Sequence, residues 1–351
     1  MLEMTGKDDY PYVSVVICSR DRHQLLEKAV ESVLAADYPR DRYEIIVVEE
    51  GDTPSPVAQT NYVFLPRRDL GLGHARKRGV REAKGKFVVF TDDDCLAEKD
   101  WISKIIEPML TDPDVFGVAG ATLIKNAPTI GACEAVLGFP GGGYRRYLKA
   151  KGRIHETPFA SGCNMAYRAA VFDKLEIDDK YYGRWGTDDT IISMQVAQKW
   201  KFMFTPHAII YHLPRNSFSG IYKLFQRRRH KELIFSKKRA DQLKEVFSLR
   251  RGMIPRLILA VLLVAALKWI GLVLALAGLM SLYLALPLRY ASELKAAKAR
   301  AGTYAALPLV KATMDISVLI SDVSFLFSLV TGRDVTTDRN TLDKYYGRDD
   351  Q

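Results

Sequence analysis

The chain has 351 residues, a formal net charge of +10, 48% hydrophobic and 26% charged side chains, proportions ordinary for a globular protein with room for two domain-sized units. The basic excess concentrates between Arg227 and Arg256, directly before an apolar run, and no nucleic-acid motif of defined spacing accompanies it. That placement suits an anionic membrane surface and the positive-inside rule, and it argues against nucleic acid as a partner. The segment MLEMTGKDDYPY has no apolar core, so no signal peptide is expected there. Cys18, Cys95, Cys133 and Cys163 are widely spaced without a C-x-x-C pair, which predicts reduced, mostly buried thiols.

In chain order, the first half alternates strand-like and helix-like segments, the pattern of a doubly wound α/β domain. Strands are predicted at Val13–Cys18, Glu44–Val48, Tyr62–Leu65, Phe87–Phe90 and Val115–Ala119, with helices around Gln24–Ala35, His74–Ala83 and Lys99–Leu110. The rhythm then breaks at FPGGGYRRYLK, where the glycine run predicts a mobile loop. FASGCNMAYR has the small and polar composition of backbone that approaches a ligand closely, and it is expected to lead into a helix. Asp188 and Asp189 stand at a helix start, and Ala208–Tyr211 is a strand ending in His212.

The most informative segment is FVVFTDDDC. Its apolar run suits a strand covered on both faces, which delivers Asp92, Asp93 and Asp94 at the carboxyl end, where ligands sit in open α/β sheets. Carboxylates this close raise one another's pKa values unless a cation neutralises them, and a hard divalent ion completing its shell with substrate phosphates would do so. An acidic helix cap is the alternative reading for this segment, and for Asp188–Asp189 as well.

Together VSVVICSRDR, EIIVVEEGD, ARKRGVREAKGKFVVFTDDDC, SGCNMAYR and WGTDDT occur in an order that resembles the family 2 glycosyltransferases of the GT-A fold, over roughly residues 13–230. The resemblance implies a Rossmann-like, doubly wound mixed sheet as a catalytic domain at 1–245, and a membrane-associated helical region at 246–351. It implies a nucleotide-sugar donor (a UDP-sugar) bound by Cys18, Arg20, Glu50, Arg76, Asp92 and Asp93. It also implies Mn²⁺ or Mg²⁺ held by Asp92, Asp94 and His212. Asp189 matches the general base, with Asp188 as its acidic neighbour, while Gly162, Asn164, Gln226 and Arg229 match positions close to acceptor and donor. Lys77 stands where the family carries Asn. His230 stands where processive members carry Trp, which argues against long-polymer synthesis. One base and no covalent intermediate means inversion at the anomeric carbon.

Ile254–Leu288 is almost wholly apolar and would be about 52 Å long as one helix, against a hydrocarbon core of about 30 Å. Lys268, Trp269 and Gly271 fall in its middle, so a hairpin, re-entrant in one form, is expected over one tilted span. In Leu307–Val330, Lys311, Asp315 and Asp322 share one helix face, which predicts an interfacial or hairpin-packed amphipathic helix. The whole chain then reads as an inverting, metal-dependent hexosyltransferase at the cell membrane, its catalytic domain facing the cytoplasm and its acceptor a hydroxyl on a lipid or lipid-linked molecule. A polyprenyl-phosphate glycosyl transferase and a non-catalytic sugar-nucleotide-binding membrane subunit are the alternatives.

Overall fold

The computed structural model describes residues 10–68, 71–175, 188–235, 246–247 and 253–331. Of the sequence-predicted features, Gly186 and Thr187, the side chains of Asp188, His230 and Lys268, and most of the basic stretch beyond Phe235 lie outside the described residues. The chain forms two compact units, one of residues 1–127 and 135–214, the other of 128–134 and 215–351. The division falls at 214/215, before the 245/246 expected from sequence, because the helix Phe218–Phe235 packs on the helix Ala301–Thr331 through Ser317 Oγ donating to the Tyr222 carbonyl at 2.7 Å.

The first unit is built on a mixed sheet, β1 Val13–Ser19, β2 Tyr43–Gly51, β3 Asn61–Pro66, β4 Phe87–Asp92, β5 Cys95–Ala97, β6 Val115–Leu123, β7 His155–Glu156, β8 Asn164–Arg168 and β9 Lys201–His212. The strand order is β3-β2-β1-β4-β8-β6-β9-β5, with β7 paired to β9. Strands β3, β2, β1 and β4 run parallel, and β8 enters antiparallel between β4 and β6. Every residue of β1 and β2 is buried, as their unbroken β-branched runs require when helices cover both faces. One layer of core gathers Val15, Ile17, Ile45 and Val47 with Leu26, Val30 and Trp101, and the other gathers Val16, Ile46 and Val48 with Phe90, Tyr167 and Phe204. The segment Asn164–Arg168 is a central strand, and the helix expected after it is a short 3-10 turn at Ala169–Val171. The glycine run expected as a mobile loop is a hydrogen-bonded turn, Gly142 N donating to the Gly138 carbonyl and Gly143 N to the Pro140 carbonyl at 3.1 and 3.0 Å. All four cysteines are free and buried.

The second unit is helical. Ile254–Leu284 is helix throughout, yet Gly271 lies against the carbonyl of Leu263, which a straight helix would hold about 12 Å away, so the helix bends sharply between them. Apolar side chains cover both arms and stay exposed, among them Leu259, Leu262, Trp269, Ile270 and Leu282. Ala301–Thr331 is long and apolar enough to cross a membrane, with a mean hydropathy of 1.6. Its charges meet partners inside the unit, Asp322 pairing with Arg229 at 2.5 Å and Asp315 with Lys311 and with Tyr283 of the bent helix, which fits the packed rather than the interfacial form expected from sequence.

Candidate active site

Parallel strands β1, β2 and β4 end together, and their register sets Cys18 beside both Val48 and Asp92. Glu50, buried near the end of β2, accepts from the Arg68 backbone N at 2.9 Å. Its neighbour Glu49, in the same EIIVVEEGD motif, accepts from the Tyr62 hydroxyl and from Ser55 N at 3.2 Å, so the acidic strand end is tied to β3 and the loop before it. Arg20 lies outermost, its side chain 38% exposed and 3.9 Å from Asp21.

The aspartate triplet sits at the end of β4, and each carboxyl has a separate setting. Asp92 Oδ1 accepts from Arg76 Nη2 at 2.8 Å, and Arg76 is itself buried. Asp93 accepts from Ser19 Oγ at 2.8 Å and lies 3.3 Å from Arg22 Nη1. Burial pushes the Asp93 carboxyl up to about 6 against the pull of Arg22, and packing pushes Asp92 up despite Arg76.

Asp94 faces the other way, because the chain turns at once into β5, which pairs antiparallel with β9 and sets Cys95 opposite His212. His212 Nε2 is 3.4 Å from Asp94 Oδ1, and one ligand atom each from Asp94, Cys95 and His212 fall within 4.8 Å of one another. His212 Nδ1 is buried without a hydrogen-bond partner. A carboxylate oxygen beside the Nε2 of an imidazole is a donor pair that suits a divalent cation such as Mn²⁺. Burial pushes the Cys95 thiol well up, and it donates to Asp94 at 3.7 Å, which makes it a hydrogen-bonding neighbour of the set. Asp92 is not in this cluster: its Oδ1 accepts from Arg76, so of the three expected metal ligands Asp94 and His212 lie together.

Asp189 opens the helix Asp188–Lys199, where its Oδ2 accepts from Gly162 N at 2.8 Å and its Oδ1 from Thr190 N at 2.7 Å. Gly162 in turn lies directly on Arg76, and a Cβ there would overlap the guanidinium, so only glycine lets the backbone reach both partners. Thus Asp189, Gly162, Arg76 and Asp92 form one connected series. Asn164 does not face a ligand. It is wholly buried, accepts from Trp101 Nε1 at 2.9 Å and donates to the carbonyls of Ala121 and Ala208 at 2.9 and 3.1 Å, so its side chain is a scaffold group two residues from Gly162. Gln226 and Arg229 belong to the second unit, both buried, with Arg229 held by Asp322. Ser19, Arg22 and Cys95 are the residues of this site that the sequence reading missed. The signal that could have found them is that VSVVICSRDR contains Ser19 and Arg22 and FVVFTDDDC ends in Cys95.

Comparison with known proteins adds independent findings. Residues 14–176 match the model of the family described as Glycosyl transferase family 2. A "Glucosyl-dolichyl phosphate glucuronosyltransferase" of Haloferax volcanii is 31% identical over 121 residues, 32% of this chain and 38% of that protein. A "Poly-beta-1,6-N-acetyl-D-glucosamine synthase" of Staphylococcus epidermidis is 22% identical over 60% of this chain and 52% of its own length. The chain therefore spans only about a third to a half of these relatives. Among solved structures, a mannosyltransferase of Pyrobaculum calidifontis in complex with GDP-Man and Mn²⁺ superposes with a TM-score of 0.53 at 18% identity, over 87% of both chains, a likeness of fold.

Proposed function

The chain belongs to glycosyl transferase family 2, and from that premise we propose an inverting, divalent-metal-dependent hexosyltransferase that carries sugar from a nucleotide-sugar, a UDP-sugar, to a hydroxyl on a lipid-linked acceptor at the cytosolic membrane face. The observation that carries this reading is the connected series from Asp189 through Gly162 and Arg76 to Asp92, with the Asp94–His212 pair beside it. A cation held by Asp94 and His212 would offset the negative charge that develops on the departing diphosphate.

Arg76 adds a fixed positive charge within reach of the same strand ends, and Cys18, Arg20 and Glu50 line the side on which the nucleotide base would lie. Asp189 takes the acceptor's proton. A hydrogen bond from Gly162 N orients that carboxylate and ties it to the donor side. The lipid-linked acceptor is supported by the name of the Haloferax relative, which specifies a dolichyl phosphate carrying glucose. The membrane is supported by the apolar helix Ala301–Thr331 and the exposed bent helix before it.

One observation favours a second reading. Both Asp189 oxygens already accept hydrogen bonds, as a capping residue's would, and a polyprenyl-phosphate acceptor needs no base. The test is a panel of nucleotide sugars with Mn²⁺ and membrane lipid extract, followed by release of nucleoside diphosphate and isolation of the glycosylated lipid. A sugar joined to a hydroxyl supports the proposal, and a sugar joined to the lipid phosphate moves it to the second reading. Absence of release from every donor overturns both.

A further inference from the structure

The turn joining β1 to the helix His23–Leu34 places on the aspartate triplet a cation that the transfer step above leaves unused. Arg22 Nη1 lies 3.3 Å from Asp93 Oδ1 and 3.2 Å from Asp94 Oδ2, so one guanidinium nitrogen bridges two carboxylates. The turn is built to hold it there. Asp21 takes a left-handed φ of 55°, a conformation that Asp adopts more readily than most residues, and Arg67 Nη2 donates to both Asp21 oxygens at 2.8 and 2.7 Å. Arg67 Nε reaches Asp52 at 2.8 Å, which anchors the turn to the segment after β2. The Arg22 carbonyl accepts from Leu25 N and Leu26 N, both at 3.0 Å, so the helix starts from this residue.

Asp94 is thereby divided. Its Oδ2 faces Arg22, while its Oδ1 faces Cys95 and His212. Three carboxylates meet two guanidiniums, Arg22 and Arg76, which leaves one net negative charge for a doubly charged ion. We propose that Arg22 is a positioning residue that couples metal binding to the diphosphate of the donor. It stands on Asp94 as a permanent cation and opposes a bare divalent ion at Asp94 and His212. An arriving diphosphate offsets both positive charges and removes the opposition. By linkage, the factor by which the diphosphate tightens the metal is the factor by which the metal tightens the diphosphate. The inference rests on the metal reading given under Proposed function.

The test titrates the full chain in detergent with Mn²⁺ alone, following the paramagnetic resonance of free Mn²⁺, and then repeats the titration with UDP or GDP present. Arg22→Gln should bind Mn²⁺ alone on the order of tenfold or more tightly than wild type, since a like charge beside the site has gone. The tightening of Mn²⁺ by the nucleotide should shrink in proportion. Arg22→Lys keeps the charge and should stay near wild type on both measures, which a purely structural role for the guanidinium fork would not produce. If Arg22→Gln binds Mn²⁺ equally or more weakly while Asp94→Asn has lost it, Arg22 has no such role and the metal site stands. If Asp94→Asn binds Mn²⁺ as wild type does, the metal reading itself fails and this inference falls with it.

Discussion

Two aspartates, one in each unit, show how differently the molecule treats a charge removed from water. Asp94, its side chain 16% exposed, is shared among Arg22, Cys95 and His212, and each contact is long, at 3.2, 3.7 and 3.4 Å. Asp322 is wholly buried and clasped by Arg229 at 2.5 Å. A carboxylate with several loose neighbours can exchange them for a ligand. One wholly buried and held by a guanidinium at 2.5 Å is fixed far more firmly, and that pairing lets an apolar helix carry charge. The same contrast runs through the surroundings. In the first unit polar groups converge where strands end, whereas in the second they pair off internally and leave Leu259, Trp269, Ile270 and Leu288 outside.

The largest expected effect tests the loose partner. Asp94→Ala should abolish transfer and remove metal-dependent binding of the nucleoside diphosphate, because it deletes a hard oxygen ligand that no described neighbour replaces. Calorimetry of the diphosphate with and without Mn²⁺ measures this, and unchanged metal-dependent affinity in a folded variant would break the comparison at its stronger end. Next, Asp189→Asn should cost about 10²- to 10⁴-fold in turnover with donor affinity nearly intact, since Asn keeps the capping bond and cannot accept a proton. A capping role alone predicts turnover near wild type. Asp188→Asn, measured in parallel, decides which carboxylate is the base.

The locked partner should fail differently. Asp322→Ala leaves Arg229 buried without its carboxylate and should cost about 3–5 kcal/mol of stability, seen as a lowered melting temperature. Metal and nucleotide affinity of the folded fraction should not change. Replacing both partners with apolar residues of similar volume, Arg229→Met with Asp322→Leu, should recover most of that loss. If the single variant were instead to lose Mn²⁺ affinity at normal stability, Asp322 would be a ligand-handling group and the contrast would be void.

The contrast also explains what the sequence made legible. Val13–Ser19, Tyr43–Gly51 and Phe87–Asp92 announce themselves because strands buried on both faces must be continuously apolar, and the triplet follows the last of them directly. The alternation pointed to an α/β domain and the resemblance to a mixed sheet; both are observed, and the fold is like that of the solved mannosyltransferase. Asn164 was placed near acceptor and donor by the resemblance, and nothing local says which way its side chain points. Its inward orientation is set by Trp101, far away in sequence, and by carbonyls of two other strands. Arg22 and Cys95 carry no motif of their own. They reach Asp94 through a left-handed turn at Asp21 and through the pairing of β5 with β9, neither of which local periodicity reports. Lys311, Asp315 and Asp322 share a helix face, but only Lys311 and Asp315 could be paired from sequence; Tyr283 and Arg229 reach Asp315 and Asp322 from other helices.

The smallest effect gives the finest comparison, because the two units contain matched hydroxyls. Ser19 Oγ donates to Asp93 at 2.8 Å and Tyr283 Oη donates to Asp315 at 2.9 Å, each onto a carboxylate that also has a cation, Arg22 in one case and Lys311 in the other. Ser19→Ala and Tyr283→Phe each delete one such donor and little else, and a hydrogen bond to a charged group contributes about 1.5–3 kcal/mol to stability. Because the cation remains in both, each loss should fall at the lower end of that range. Denaturant titration should find the two variants destabilised by similar amounts. Binding should then separate them. Asp93 shares Arg22 with Asp94, so freeing the Asp93 carboxylate to turn disturbs the metal side, and Ser19→Ala should weaken metal-dependent nucleotide affinity by up to about tenfold, equivalent to about 1.4 kcal/mol. Tyr283→Phe should leave that affinity at wild type. Equal shifts in both variants would mean that nucleotide affinity follows global stability, and unchanged affinity in Ser19→Ala would mean that Asp93 is as rigidly committed as Asp322.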